Sequence, residues 1–234
     1  MATLKFQEIN RKRPDFVQEV YEVLLDAISA GTLAPGERIT QEEIAEQLQV
    51  SRSPVLQAIR LLKKDGLLQD APGRGVQVAP LDADWIGKIY EVRGALHSLA
   101  ARLAAERRAV IDPALILAGR AAARGSDVKA MIDADMAFHC AVDQASDNPL
   151  LVETAQLHWA HLRRVMGSVL QASGQREAIW DEHAAIADAI ARGDAPRAAA
   201  LTEQHVSRAG QYWRRRLSEA LQARGEAPAG VEAA

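Results

Sequence analysis

Apolar residues recur at three- and four-residue steps over most of this chain, and the places where that period breaks divide it into two unequal parts. From Asp15 to Ala30 the stripe Val20, Val23, Leu24, Ala27 and Ile28 predicts one amphipathic helix, with Gly31 placed to end it. Leu33-Ala34-Pro35-Gly36 reads as a turn. Thr40 with Glu43 three positions on is a capping-box pattern, in which each side chain satisfies the other residue's free backbone donor; it predicts a short helix through Leu48. After Gln49-Val50-Ser51-Arg52, Ser53 as N-cap and Pro54 at the first helical position predict a second helix to about Asp65, stopped by Gly66. Leu67 to Asp70 and Val76 to Val78 predict two short strands around the turn Ala71-Pro72-Gly73-Arg74-Gly75.

Beyond Pro80 the helical period continues from Asp82 to Gln222. It is interrupted at Asp112-Pro113, Gly125-Ser126, Asn148-Pro149, Ser173-Gly174 and Gly193-Asp194, which predicts about six helices, a bundle-sized set. The expected class is mainly α: an N-terminal winged helix-turn-helix of three helices and a β-hairpin, followed by an all-α bundle. The expected boundaries are a polar arm over 1–14 with the basic cluster Arg11-Lys12-Arg13, a winged helix over 15–78, a linker over 79–82, a helical domain over 83–222 and a disordered tail over 223–234.

Composition supports helices: 48% of residues are apolar but only 4% aromatic, and alanine is abundant. A net charge of −3 argues against a protein that coats nucleic acid indiscriminately, while leaving room for a basic face that binds one DNA site. The single cysteine, Cys140, excludes an intramolecular disulfide and fits a reducing compartment. No apolar run is long enough to span a bilayer and the start lacks a signal-peptide core, so the expectation is a cytoplasmic protein with no membrane partner.

Two short helices and a tight turn followed by a hairpin form the layout of a DNA-reading module. Ile44, Ala45 and Leu48 supply the core of the first helix, Val50 that of the turn, and Val55, Ile59 and Leu62 that of the second. The second helix would present Ser51, Arg52, Ser53 and Pro54 to base edges, and the guanidinium fork of Arg52 suits guanine O6 and N7. Arg60, Lys63 and Lys64 are candidate phosphate contacts, and Arg74 sits at the hairpin tip. An ordinary helical hairpin with a solvated basic face has the same pattern, and Glu42, Glu43 and Glu46 on the preceding helix weaken the charge argument.

Residues 17–78 resemble the DNA-binding domain of the GntR family of bacterial regulators. The resemblance is carried by Ala34-Pro35-Gly36-Glu37-Arg38-Ile39, Ile44-Ala45-Glu46-Gln47-Leu48, Val50-Ser51-Arg52-Ser53-Pro54-Val55, and Gly66-Leu67-Leu68 ahead of Gly73-Arg74-Gly75-Val76. It implies a winged helix with Ser51, Arg52, Ser53 and Gly73 at the DNA, and Arg38 joins Arg60 and Arg74 among the candidate contacts. Two positions depart from the family. Leu56-Gln57 stands where Arg-Glu is usual, and Gln49 replaces a turn glycine at a cost of about 1 kcal/mol if the backbone there is left-handed.

In the helical half Asp135 and His139 lie four residues apart and so share a helix face, His183 follows Glu182, and His205 lies in the last helix. Three imidazoles and a carboxylate suit Zn, Ni, Fe, Mn or Co, and spacing does not choose among them; a hydrogen-bonded Asp–His pair is the plainer reading. Residues 83–215 resemble the FCD-type ligand-binding domain of the FadR subfamily. The matching pieces are Glu91-Val92-Arg93, Asp135-Met136-Ala137-Phe138-His139, Ser146-Asp147-Asn148, Glu182-His183, Gly193-Asp194 and His205. The resemblance implies a divalent metal, zinc in the purified protein, on Asp135, His139, His183 and His205. It also implies a carboxylate effector held by Arg93. His97 stands where the family often has Glu and is a candidate pocket residue; His161 and His158, flanking Trp159, are candidates for the same cavity.

Three classes of function remain in view. A metal-dependent hydrolase would use the Asp/His set, but it leaves the winged helix without a task, and no Gly-x-Ser-x-Gly elbow is present. A helical dimerisation scaffold would not need inward-facing His and Arg. A regulator accounts for both halves: a homodimer on a palindromic double-stranded operator, a repressor rather than an enzyme, released by a small organic acid.

Overall fold

The computed structural model describes residues 15–169 and 177–223. The predicted arm over 1–14, the break at Ser173-Gly174 and all but the first residue of the predicted tail lie outside the described residues.

The first helix, α1 (Phe16–Ala30), begins where the Asp15 carboxylate accepts from the backbone N–H groups of Val17 and Gln18, and ends at Gly31 with φ 76°. A two-residue strand β1 (Arg38–Ile39) leads into α2 (Gln41–Gln47), whose capping box between Thr40 and Glu43 is fully formed. The next helix, α3 (Arg52–Lys64), starts two residues earlier than the Ser53-Pro54 signal suggests. Ser51 is its N-cap, and Pro54 is accommodated one position after Ser53 because the first-turn N–H groups have no partner within the helix to lose. Strands β2 (Leu68–Asp70) and β3 (Val76–Val78) form the wing. The sheet has three strands rather than two, in the order β1-β3-β2 and antiparallel, with Gln77 opposite both Arg38 and Gln69. A two-residue strand gives no period to read, so β1 is invisible in the sequence. Gly75 makes this close packing possible, since a Cβ there would lie 2.7 Å from the Ile39 carbonyl oxygen.

Seven helices follow among the described residues: α4 (Ala83–Glu106), α5 (Pro113–Arg124), α6 (Val128–Ala145), α7 (Pro149–Gln156), α8 (Trp159–Val169), α9 (Ala178–Arg192) and α10 (Ala195–Ala223). The seventh arises from a break at Leu157-His158, where no Gly or Pro marks the end and one apolar stripe runs through both helices. α4 and α10 lie side by side and antiparallel. Tyr90 packs on Gly210, Gly94 faces Val206, and a Cβ on Gly210 would come within 2.7 Å of the Tyr90 side chain. Two apolar clusters fill the bundle. One centres on Ile89, Trp159, Leu162, Val206 and Trp213, and the other on Ala101, Phe138, Trp180, Ile186 and Ile190. The N-terminal elements have their own core around Leu24, Ile44, Val55, Leu62 and Val78. Helix α8 touches that core through Ala160 and approaches α1 closely, with Gly167 near the Ser29 carbonyl oxygen.

Candidate functional site

Helix α3 buries Val55, Ala58, Ile59 and Leu62 and turns the opposite face outward. Ser51, Arg52, Ser53, Leu56, Gln57 and Arg60 are all exposed there, as are Gly73 and Arg74 at the wing tip. Arg38 is exposed on β1, with its guanidinium 3.8 Å from the Cβ position of Gly73. Arg52 is held 3.3 Å from Glu42 of α2, and Lys63 is paired with Asp70 at 2.6 Å. Ser51 makes no side-chain cap bond, so the orphan N–H groups at the start of α3 stay open to an anion. Gln49 has φ 54°, the left-handed conformation that the turn demands.

A cavity of about 310 Å³ lies in the bundle, and Arg93, Asp135, His139 and His205 all reach it. Those side chains come from α4, α6 and α10, and α9 adds His183 beside them. His139, His183 and His205 are buried, and one nitrogen of each lies within 4.8 Å of the others. His183 Nε2 is 3.2 Å from His205 Nε2, and Asp135 reaches His183 at 3.6 Å and His139 at 4.0 Å. His205 Nδ1 donates to Glu182 at 2.8 Å, which turns its Nε2 toward His183. Burial pushes the His139 and His183 imidazoles well below their ordinary range, and the crowding of the imidazoles, with Arg93 near His139, opposes a charge on either ring. Burial raises the Asp135 carboxyl. The His139 and His183 imidazoles are therefore neutral and converge with His205 on one point, with the Glu182 carboxylate behind His205; that is how metal-ligating histidines are oriented, and a divalent transition ion fits the set.

Arg93 is 2% exposed, and its Nε and Nη1 have no hydrogen-bond partner. Its guanidinium lies 4.0 Å from the centre of the Trp159 ring, and desolvation lowers its pKa. A buried cation with open donors and no acid bonded to it is costly unless a ligand supplies the anion.

His97 and His161 are placed differently from expectation. His97 is fully buried behind Arg93 and His139 and does not line the cavity; its Nδ1 is bound to Asp143 at 2.7 Å. Position 97 follows Arg93 by one helical turn along α4, which carries it past the cavity floor. His161 points to the other side of α8, where its Nε2 donates to the Asp65 carbonyl oxygen at 2.8 Å, and His158 also stays out of the cavity. Residues on α8 at 161 and 159 are some 200° apart, so a helix with Trp159 facing Arg93 turns His161 away from it. Sequence reading missed Glu182, Asp143 and Trp159. Asp143 had a signal, since Asp135, His139 and Asp143 step by four along one face of α6; Glu182 and Trp159 act across helices and left none.

The family models settle what this combination belongs to. Residues 16–78 match the model for bacterial regulatory proteins of the gntR family, and residues 88–208 match that of the FCD domain. The chain belongs to the gntR family, in its FCD-domain branch. Its relatives are transcription regulators, not enzymes. The regulator LutR of Bacillus subtilis is 30% identical over 213 residues, covering 77% of this chain and 93% of LutR. The regulator YdhC of the same organism is 32% identical over 137 residues, 56% of this chain and 61% of YdhC, so the chain spans less than two thirds of that relative. The solved structure of Escherichia coli McbR/YncC has the same fold, with a TM-score of 0.74 over 88% of this chain and all of that one, at 20% identity. This gntR-family chain has, among its described residues, no helix long and apolar enough to cross a membrane.

Proposed function

We propose that this regulator is a cytoplasmic repressor that binds a palindromic operator as a homodimer and is released by a small carboxylate. Residues 15–78 act as the DNA-binding domain, 79–82 as the linker and 83–222 as the sensing and dimerising domain. At the operator, Arg52 with Ser51 and Ser53 reads base edges, and Arg38, Arg60, Gly73 and Arg74 meet the backbone or the adjoining groove. Support comes from the exposure of this face and the open N-terminus of α3. For the dimer, α4 offers Trp85, Val92 and Leu99, exposed at seven-residue intervals.

The sensing site consists of Arg93, which takes the effector carboxylate, and a divalent ion, zinc in the purified protein, on Asp135, His139, His183 and His205. When bound, the ion supplies a Lewis-acidic position for an effector oxygen. Glu182 orients His205, Trp159 supports the Arg93 guanidinium, and the surrounding helices exclude water. The observation that carries this reading is Arg93 itself, a buried guanidinium with two unpartnered donors that lines the cavity beside three convergent imidazoles.

The test starts with operator selection from random duplex DNA by the full chain. Release of the selected duplex by carboxylates is then titrated for the wild type and for Arg93→Ala. Two lost charge-assisted bonds weaken effector binding by at least about a hundredfold, with operator affinity unchanged. Equal release in both proteins removes Arg93 from the site.

A further inference from the structure

The charged groups of the cavity gather at one end and the rest of its lining is mainly apolar, and that separation specifies the effector. Arg93, Asp135, His139 and His205 lie at one level of the bundle. From there the cavity follows α10 past Val206 and Ala209 to Tyr212 and Trp213, and Ile132 and Met166 pack along that stretch. His205 and Trp213 are eight residues apart on one helix, about 12 Å along its axis. Among the described residues the other guanidinium at the cavity, Arg208, is already paired with Glu182 at 3.0 Å. Arg93 is thus, among the described residues, the guanidinium there with no acid bonded to it.

We infer that the effector is a monocarboxylate with an extended apolar or aromatic body, its acid group on Arg93 and its body along α10 toward Trp213. The inference rests on the carboxylate reading of Arg93 and narrows it. A polyhydroxy acid or a dicarboxylate has one further oxygen satisfied beside Arg93, but groups carried on toward Ile132 and Met166 lose water against apolar side chains, and among the described lining residues only the Tyr212 hydroxyl and the Trp213 indole N–H stand at that end. An apolar body gains free energy over the same stretch in proportion to the area it removes from water.

Calorimetric titration of the full chain, zinc-loaded and chelator-treated in parallel, tests this with acetate, butyrate, hexanoate and 3-phenylpropionate against succinate and citrate. Affinity is expected to rise about fourfold per added methylene, with phenylpropionate at least about a hundredfold tighter than acetate. Ala209→Leu, which fills the cavity halfway along α10, should weaken hexanoate binding about tenfold or more and leave acetate within about twofold. Succinate or citrate binding more tightly than hexanoate, or an affinity independent of chain length, overturns the inference. If that binding is still lost in Arg93→Ala, the carboxylate reading stands without it. Failure of every acid to bind either form of the protein overturns both.

Discussion

His161 Nε2 donates a hydrogen bond of 2.8 Å to the main-chain oxygen of Asp65, the residue that ends helix α3. A carbonyl only accepts, so Nε2 carries the proton, and the C-terminal end of a helix favours such a donor. The Asp65 side chain is held in turn by the Tyr21 hydroxyl at 2.8 Å. Arg164 donates to the Ala79 carbonyl oxygen in the linker segment, and Arg163 lies 3.5 Å from Asp26 of α1. On its other side the same helix, α8, carries Trp159 beneath Arg93 and Met166 on the cavity wall. One helix of 11 residues therefore touches both the sensing cavity and the end of the DNA-facing helix.

Removing that bond should weaken communication more than either site. For His161→Ala the expected outcome is metal content and acid affinity unchanged within about twofold, with the effector's influence on operator affinity reduced by a factor of about 2–10, the worth of one hydrogen bond. His161→Phe, which keeps the ring without the donor, should behave like alanine. Operator-release titrations on both variants decide it. Full release by the effector in both would show that the joint at Asp65 is only packing.

At the DNA the sharpest variant is Arg52→Ala. The side chain is 68% exposed and, among the described residues, is restrained by Glu42, so its loss should leave the melting midpoint within a degree or two. Specific operator affinity should fall by about 1–3 kcal/mol, while non-specific binding changes little beyond the loss of one cation. Gel-shift titrations at matched salt on operator and scrambled duplexes measure both. A drop equal on the two duplexes would make Arg52 a phosphate contact rather than a base reader.

Gln49→Gly tests the departure in the turn. At φ 54° glutamine bears a steric cost that glycine avoids, offset in part by the larger entropy of glycine in the unfolded chain. The expected gain in stability is about 0.5–1 kcal/mol, read from denaturant midpoints. A loss would mean that the Gln49 side chain makes a compensating contact.

The parts legible in the sequence share one property: their information is local. The Thr40–Glu43 box, the stops at Gly31, Gly66 and Gly193, and the Asp135–His139 step all lie within one helical turn, so short patterns reveal them. What stayed hidden depends on partners distant in the chain. β1 exists because Ile39 pairs with Val76, and the role of Glu182 depends on His205 of the next helix. Reading His161 as a cavity residue failed because both faces of α8 are buried, one on the bundle and one on the DNA-binding core, and its apolar pattern does not tell them apart.

The histidine cluster fixes how the protein should respond to acid, and the sign follows from its burial. His139 and His183 are held well below the ordinary imidazole range by burial first and cationic neighbours second, and burial lowers His97 as well. In the unfolded chain these rings titrate near pH 6.5, a value of about the model-peptide average. Between that value and the lower folded one the unfolded chain binds more protons, so stability is lost as pH falls below about 6.5. Asp135 acts in the opposite sense. Its raised carboxyl holds a proton more readily in the folded state, which favours folding as pH falls. Three rings against one carboxyl leave acid destabilising, with each ring contributing a slope of up to about 1.4 kcal/mol per pH unit. A bound ion adds stability in proportion to the logarithm of its free concentration over its dissociation constant, and protons compete for the same nitrogens. Chelator-treated protein should therefore melt lower at pH 5.5 than at pH 7.5. Zinc should raise the midpoint at pH 7.5, bind at about one ion per chain by elemental analysis, and lose its effect by about pH 5. His183→Gln should abolish the zinc-dependent part and remove one ring's share of the acid slope, leaving the share of the other two. A melting midpoint at pH 7.5 that zinc leaves unmoved, with no ion retained, would return the cluster to a buried hydrogen-bonded core; a flat pH profile in the metal-free protein would show that these rings are not held neutral by the fold.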